Sequence, residues 1–198
     1  LNTGPYCKAR ARLPVSLIER LGRETGARLC AQQPAGWSWH GRQVKLVDGT
    51  TLSMPDTAAN QKRYPQNRSQ KAGLGFPVVR LVAIVSLSCG AVLDWAFGPC
   101  EGKETGESAR LWSLAQRLHR GDVVVADRAY AGYFMIAWLI QQGVDVVIRQ
   151  HQRRITDFRR GRRLGARDHL VCWTRPDRPS WMSPALYASM PETLTMRE

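Results

Sequence analysis

The spacing of hydrophobic residues changes along the chain, and each spacing predicts an element of secondary structure. Residues 14–32 place apolar side chains at partial helical spacing after Pro14, which suits the first helical position, so a helix is predicted. Residues 43–54 alternate apolar and polar side chains as a strand does. Residues 55–75 are polar and interrupted by prolines and glycines, so we expect a long loop there.

Beyond this loop, the pattern predicts a hairpin followed by alternating helices and strands. The hairpin strands cover residues 76–88 and 91–98. Two helices and two short strands follow, at residues 105–119, 123–126, 132–142 and 144–149. Strands that alternate with helices are typically parallel and joined by right-handed crossovers. The prediction is an α/β fold with a mixed sheet: three antiparallel strands, then helix, strand, helix and strand.

The same pattern divides the chain into three regions. Residues 1–40 form a helical N-terminal segment, residues 41–150 form the α/β core, and residues 151–198 form a basic region where the pattern decays. The chain begins with Leu1 rather than Met and stops within a polar stretch, so we expect an internal piece of a longer protein.

Asp48 is the first candidate for chemistry, because it lies inside the predicted strand 43–54 in the sequence Val-Asp-Gly-Thr. An aspartate on a central strand can help to bind a divalent cation. However, Asp-Gly between alternating apolar residues is also a strong signal for a hairpin turn, where Asp48 would have no chemical role. Spacing alone supports the two interpretations equally.

Asp127 is the second candidate, and it follows the apolar run at residues 123–126. Ligands of open α/β sheets bind at the carboxyl ends of strands, which is where Asp127 would be exposed. The alternative is that Asp127 caps the following helix. Its neighbour Arg128, a phosphate-binding residue type, favours the functional interpretation. If Asp48 lies on an adjacent strand, the two acids can share a divalent cation.

The other acids have simpler explanations. Asp94 is expected to be a solvent-facing residue of a hairpin strand. Glu101, Glu104 and Glu107 cluster at the start of a predicted helix, where the helix dipole favours negative charge without any catalytic role.

The formal net charge of +13 indicates a polyanionic partner, because each neutralised phosphate releases counterions. The basic residues that we expect to contact DNA are Lys71, Arg128, Arg149, Arg153, Arg154, Arg159, Arg160, Arg162 and Arg163. For the arginines beyond residue 149, the alternative is a solvated or disordered charge run. Trp173 and Trp181 are expected to pack within the basic region, with stacking on an unpaired base as the alternative.

Three blocks of the sequence resemble IS4-family DDE transposases. The blocks Leu-Val-Asp-Gly-Thr (46–50) and Gly-Asp-Val-Val-Val-Ala-Asp-Arg-Ala-Tyr (121–130) are similar to the first two catalytic blocks of that family. The segment Gln-Lys-Ala-Gly-Leu-Gly-Phe-Pro (70–77) is similar to the connection between them. The second block, with its strand and following helix, is the more specific one.

The resemblance implies an RNase H-like fold with Asp48 and Asp127 as catalytic metal ligands. It implies that two Mg²⁺ or Mn²⁺ ions support hydrolysis of the phosphodiester bond at the element's end, followed by strand transfer from the freed 3′-OH. The implied partners are double-stranded DNA, as transposon ends and target, and a second copy in a synaptic homodimer, with no membrane. The resemblance, together with five cysteines that form no C-x-x-C pair, implies a cytoplasmic, nucleoid-associated bacterial protein.

The third acid of the family, a Glu within Tyr-x-x-Arg-x-x-x-Glu-x-x-x-x-x-x-Lys, has no counterpart in this chain. Tyr187 is followed at the Arg position by Met190, and Glu198 is the last residue. Many family members carry a β-rich insertion before that Glu, and residues 151–198 resemble its start. We therefore expect a transposase fragment that is inactive by itself. The alternatives are a truncated protein that only binds DNA and another nuclease of the same fold.

Overall fold

A five-stranded mixed sheet forms the centre of the computed structural model, which describes residues 3–102 and 105–198. Its strands are β1 (Val44–Ser53), β2 (Val78–Ser86), β3 (Val92–Pro99), β4 (Val123–Ala126) and β5 (Asp145–Ile148). The strand order is β3-β2-β1-β4-β5. β1, β2 and β3 are antiparallel, whereas β4 and β5 run parallel to β1. The predicted mixed α/β sheet is therefore confirmed.

Six α-helices accompany the strands in the described residues. They are α1 (Gly4–Ala11), α2 (Val15–Gln32), α3 (Ala58–Arg63), α4 (Glu107–Leu114), α5 (Tyr133–Gln141) and α6 (Pro184–Ser189). Pro14 is the N-cap of α2 rather than its first residue. α3 lies inside the segment predicted to be loop, and its N-cap Thr57 accepts a hydrogen bond from the Asn60 backbone. None of these helices is long and apolar enough to cross a membrane.

The main core lies where α4 and α5 pack on the central strands. Val47 of β1, Val82 of β2 and Val124 of β4 meet Leu111 of α4 and Leu139 of α5 in one apolar cluster. The first half of β1 is buried on both faces, because it is the middle strand of the sheet. Its Lys45 is buried and forms a 2.6 Å ion pair with Asp122, just before β4, which compensates the buried charge.

Residues 151–198 contain a second, three-stranded sheet. Its strands are β6 (Arg162–Gly165), β7 (Asp168–Thr174) and β8 (Thr193–Arg197), all antiparallel in the order β6-β7-β8. Trp173 of β7 and Leu194 of β8 pack with Phe134 and Ala137 of α5 in a second apolar cluster. Trp173 is therefore a core residue, as predicted, while Trp181 is half exposed.

One sequence-based prediction, which concerns Asp94, is wrong. This residue was expected to face solvent, but it is only 4% exposed, because α2 packs on β3 and covers it. Arg23 of α2 and Arg117 donate to its two carboxylate oxygens at 2.8 and 2.7 Å. Burial by itself would raise the pKa of Asp94, but these hydrogen bonds and one from the Trp95 backbone hold the pKa below its usual value. Asp94 thus joins the N-terminal helix to the sheet.

Candidate active site

Asp48 and Asp127 occupy adjacent positions on neighbouring strands. β1 and β4 are paired in parallel from Val44 with Val123 to Val47 with Ala126, and the two aspartates are the next residue of each chain segment. Neighbouring strands lie about 4.8 Å apart, so the two residues lie side by side. Both are exposed. Two acids therefore meet at the carboxyl end of β4, the place where open α/β sheets bind ligands.

The hairpin-turn interpretation of Asp48 does not hold. β1 continues through Asp48 and Gly49 to Ser53, and Asp48 lies opposite Ala83 of β2 in an unbroken ladder. The capping interpretation of Asp127 holds in part, because its Oδ1 accepts a 2.8 Å hydrogen bond from the Ala129 backbone. The Asp48 Oδ1 accepts one from its own neighbour Gly49. In residues 3–102 and 105–198, the Oδ2 atoms of both aspartates accept no hydrogen bond.

Glu107 reaches the same end of the sheet from α4. Its carboxylate lies directly over Gly49, so that a Cβ on this glycine would stand 2.6 Å from Glu107 Cδ. Side chains alternate between the two faces of a strand, so Glu107 approaches β1 on the face opposite to the Asp48 side chain. The start of α4 is held there because Ser108 Oγ donates a 2.7 Å hydrogen bond to the Ala129 carbonyl, two residues beyond Asp127.

Tyr130 is buried near the three acids. Its side chain is fully buried at the end of the 3-10 turn Arg128–Tyr130. Burial raises the pKa of its hydroxyl, and the carboxylate of Glu107 raises that pKa further, as do those of Asp48 and Asp127. The hydroxyl is close to Glu107, yet its hydrogen bond with any acceptor among the described residues falls short of good geometry. A buried donor without a well-formed hydrogen bond among the described residues is costly.

The donor set at this end of the sheet suits a hard divalent cation. Mg²⁺ takes carboxylate oxygens together with water and phosphate oxygens, and Asp48 and Asp127 offer two exposed carboxylates with free Oδ2 atoms. The described residues contain no group of three or more His, Cys, Asp or Glu side chains that could hold a metal ion. Among the described residues, Asp48 and Asp127 therefore offer exposed carboxylates at this end of the sheet, and Glu107 approaches on the opposite face of β1.

The basic residues predicted to contact DNA are all exposed. Arg128 stands next to Asp127 and donates a 2.9 Å hydrogen bond to Gln152. Arg154 lies over the ring of Trp173, 3.6 Å from its centroid. The cluster from 159 to 163 belongs to an ordered turn and strand β6, with Arg159 paired to Asp157 at 2.8 Å. Lys71 lies in the loop that follows α3.

The other predicted acids lie elsewhere. Glu101 is bound to Arg68 at 2.6 Å, and Glu104 lies outside the described residues. Glu198 ends the second sheet, where its carboxylate accepts a 2.7 Å hydrogen bond from the Trp173 indole. Tyr187 lies in α6, whose six residues end before any Glu. The sequence analysis explained Glu107 by the helix dipole and named Tyr130 only as the last residue of the second block, three residues after Asp127.

A model of a known protein family matches most of the chain. Residues 39–193 match the family described as "Transposase DDE domain", a range that includes the whole five-stranded sheet and both aspartates. The match covers more than half of the chain, and the chain therefore belongs to the DDE transposase family. The resemblance seen in the sequence is confirmed at that level.

Two curated relatives come from Escherichia coli (strain K12). The chain is 26% identical over 137 residues to "Putative transposase InsZ", an alignment that covers 69% of this chain and 45% of the relative. It is 25% identical over 175 residues to "Transposase InsG for insertion sequence element IS4", covering 83% of this chain and 36% of the relative. The chain thus spans less than half the length of these relatives. No solved structure matches it.

Proposed function

We propose that this chain carries the first two catalytic carboxylates of an IS4-type DNA transposase, Asp48 and Asp127, and that these two residues hold its divalent cations. The observation that carries the proposal is the parallel register of β1 and β4, which ends one residue before both aspartates. Membership of the DDE transposase family supports the same assignment.

Within this proposal, the fold of the chain is RNase H-like. A sheet in the order β3-β2-β1-β4-β5, with three antiparallel strands followed by two parallel ones, supports it. So does the position of the acids, which lie on the central strand β1 and directly after its parallel neighbour β4. Such a sheet exposes the carboxylates while its apolar core stays dry.

The complete protein would hydrolyse the phosphodiester bond at the transposon end and then transfer the strand from the freed 3′-OH. When bound, Mg²⁺ or Mn²⁺ ions, two in the complete site, supply Lewis-acid chemistry that activates the attacking group and stabilises the leaving oxygen. Asp48 and Asp127 contribute the negative charge and oxygen atoms that hold such ions. Arg128, the exposed neighbour of Asp127, would bind a phosphate of the DNA.

Double-stranded DNA is the proposed partner, bound through phosphate contacts of the exposed basic residues. Those residues are Lys71, Arg128, Arg149, Arg153, Arg154, Arg159, Arg160, Arg162 and Arg163. The same proposal includes a homodimer that brings two transposon ends together. It also includes a location at the bacterial nucleoid in the cytoplasm.

The direct test is cleavage of element ends by the complete gene product in Mg²⁺. We expect cleavage by the wild type, loss of cleavage in Asp48→Ala and Asp127→Ala, and DNA binding in gel shift that is retained in both variants. Glu24→Ala, an exposed change on α2, serves as the matched control and should cleave normally. Undiminished cleavage by Asp127→Ala would overturn the assignment.

A second candidate is a protein that binds DNA without cutting it. The observation in its favour is that no group of three acidic, His or Cys ligands exists within the part of the chain that the structure describes. DNA binding by the complete gene product, with no cleavage of any element end in Mg²⁺ or Mn²⁺, would favour this candidate.

A further inference from the structure

We propose that Glu107 and Tyr130 form a positioning pair behind the two aspartates, and that Glu107 raises the affinity of this site for divalent cations without being a ligand. The inference rests on the proposed cation site at Asp48 and Asp127. It adds a function for two residues to which neither the sequence pattern nor the family resemblance gave one.

The first step is the position of Glu107. A glutamate in the first turn of a helix needs no special role, because the helix dipole favours its charge. Glu107, however, is not directed away into solvent. It lies against the backbone of Gly49, where even a single methyl group would come within 2.6 Å of it. Because Gly49 has no side chain, the Glu107 carboxylate can lie against it, one residue beyond Asp48.

The second step is the hydroxyl of Tyr130, which is 0% exposed and lies among the three acids. A tyrosine is neutral at ordinary pH, so this hydroxyl is a hydrogen-bond donor that must find an acceptor. Of the three carboxylates, that of Glu107 is the one this hydroxyl approaches, although the two do not form a hydrogen bond of good geometry. In the proposed pair, Tyr130 donates to Glu107 when a cation is bound, and the Oδ2 atoms of Asp48 and Asp127 stay available for that cation.

The third step is charge. Asp48 and Asp127 provide two negative charges for an ion that carries two positive ones, in a chain whose net charge is +13. Glu107 adds a third negative charge from a half-buried position beside Gly49, where solvent screens it less than it would on an exposed surface. Outer carboxylates that support metal ligands typically change metal affinity by about ten- to a hundredfold when they are removed.

The test is a titration of residues 1–198 with Mn²⁺, in which electron paramagnetic resonance reports the free ion. Glu107→Gln keeps the size and removes the charge, and we expect about tenfold weaker binding. Tyr130→Phe removes only the hydroxyl and should weaken binding less. The double variant should bind no more weakly than Glu107→Gln alone, because Tyr130 acts through Glu107. Glu24→Gln, the same change of charge on an exposed face of α2, should bind as the wild type does.

Asp48→Asn and Asp127→Asn separate this inference from the proposed function. If both lose Mn²⁺ binding while Glu107→Gln binds like the wild type, the positioning pair is wrong and the cation site stands. If Asp48→Asn and Asp127→Asn bind like the wild type, the cation site itself is wrong. Circular dichroism of each variant shows whether the fold is retained, and Tyr130→Phe keeps the test valid if Glu107→Gln fails to fold.

Discussion

Glu107 lies over Gly49, with its Cδ 2.6 Å from the position that a Cβ on this glycine would occupy. This contact brings the first turn of α4 to the central strand β1, one residue beyond Asp48. It joins two parts of the chain that are far apart in sequence at the end of the sheet where the aspartates meet.

Replacing Gly49 with Ala should displace Glu107 while leaving the fold intact. The Glu107 side chain is flexible and partly exposed, so its end can move away from the new methyl group. In addition, ordering alanine in a strand costs less backbone entropy than ordering glycine. We expect the free energy of unfolding to change by less than about 1 kcal/mol. Mn²⁺ affinity should nevertheless fall towards that of Glu107→Gln. Unchanged Mn²⁺ affinity in a folded Gly49→Ala protein would show that the position of Glu107 does not matter.

The hydrophobic pattern was sufficient to predict the sheet. Each of the five strands is an apolar or alternating run, and the helices between β3, β4 and β5 require parallel pairing of the last two. The pair of Asp48 and Asp127 follows from that topology, although the Asp-Gly dipeptide by itself supports a turn equally well.

Contacts between distant elements could not be read from the sequence. The burial of Asp94 depends on the packing of α2 against β3, and no local pattern reveals which face of a hairpin a helix will cover. Glu107 looks like an ordinary acid at a helix start until Gly49 is seen beneath it. The short helix α3 was missed because its six residues, two alanines followed by four polar residues, carry no apolar periodicity.

Removal of the Asp94 charge should destabilise the protein in a pH-dependent way. The pKa of Asp94 is lowered in the folded state, so its stabilising contribution is present above the unfolded pKa of about 3.9 and is lost as the pH falls through the folded value. At pH 7, Asp94→Asn should cost about 2 kcal/mol, less than for a fully buried pair because Arg117 is half exposed.

Urea unfolding followed by tryptophan fluorescence measures this difference at several pH values. The gap between wild type and Asp94→Asn should stay constant from about pH 7 to 5 and shrink below about pH 4. Asp177→Asn, on an exposed residue, is the control and should show little effect. A gap of equal size at pH 3 and pH 7 would mean that the ion pairs of Asp94 contribute nothing.

DNA binding by residues 1–198 should depend steeply on salt and weakly on sequence. Replacing Arg159, Arg160, Arg162 and Arg163 together with Ala should reduce the slope of log affinity against log salt by about 2 to 4 units, since each phosphate contact contributes about 0.9. The lower value applies if the existing contacts of Arg159 and Arg160 with Asp157 persist in the complex.

A matched control removes four positive charges from the N-terminal region instead. Lys8, Arg10, Arg12 and Arg20 replaced with Ala change the net charge by the same amount, so the two variants differ only in where the charge is lost. Fluorescence anisotropy with a short duplex at several salt concentrations gives both slopes. Equal slopes in the two variants would assign the effect to net charge rather than to the cluster around β6.

Residues 1–198 alone should not cleave DNA. Two aspartates leave one of two cations weakly held, and no three-ligand group exists within the described residues. A supercoiled plasmid incubated with the chain in Mg²⁺ should stay closed, while the complete gene product should nick DNA that carries element ends. Nicking by residues 1–198 that disappears in Asp127→Ala would place the third ligand within this chain, and Glu107 would be the first residue to test.

Asp48 and Asp127 are proposed to share a divalent cation at the end of β4. Crystals of residues 1–198 soaked in Mn²⁺ locate that ion by its anomalous scattering. We expect an anomalous peak between the two carboxylates, within about 2.2 Å of an oxygen of each, and no peak there in crystals of Asp127→Asn. Crystals of the wild-type chain with no peak between Asp48 and Asp127 at saturating Mn²⁺ would contradict this proposal.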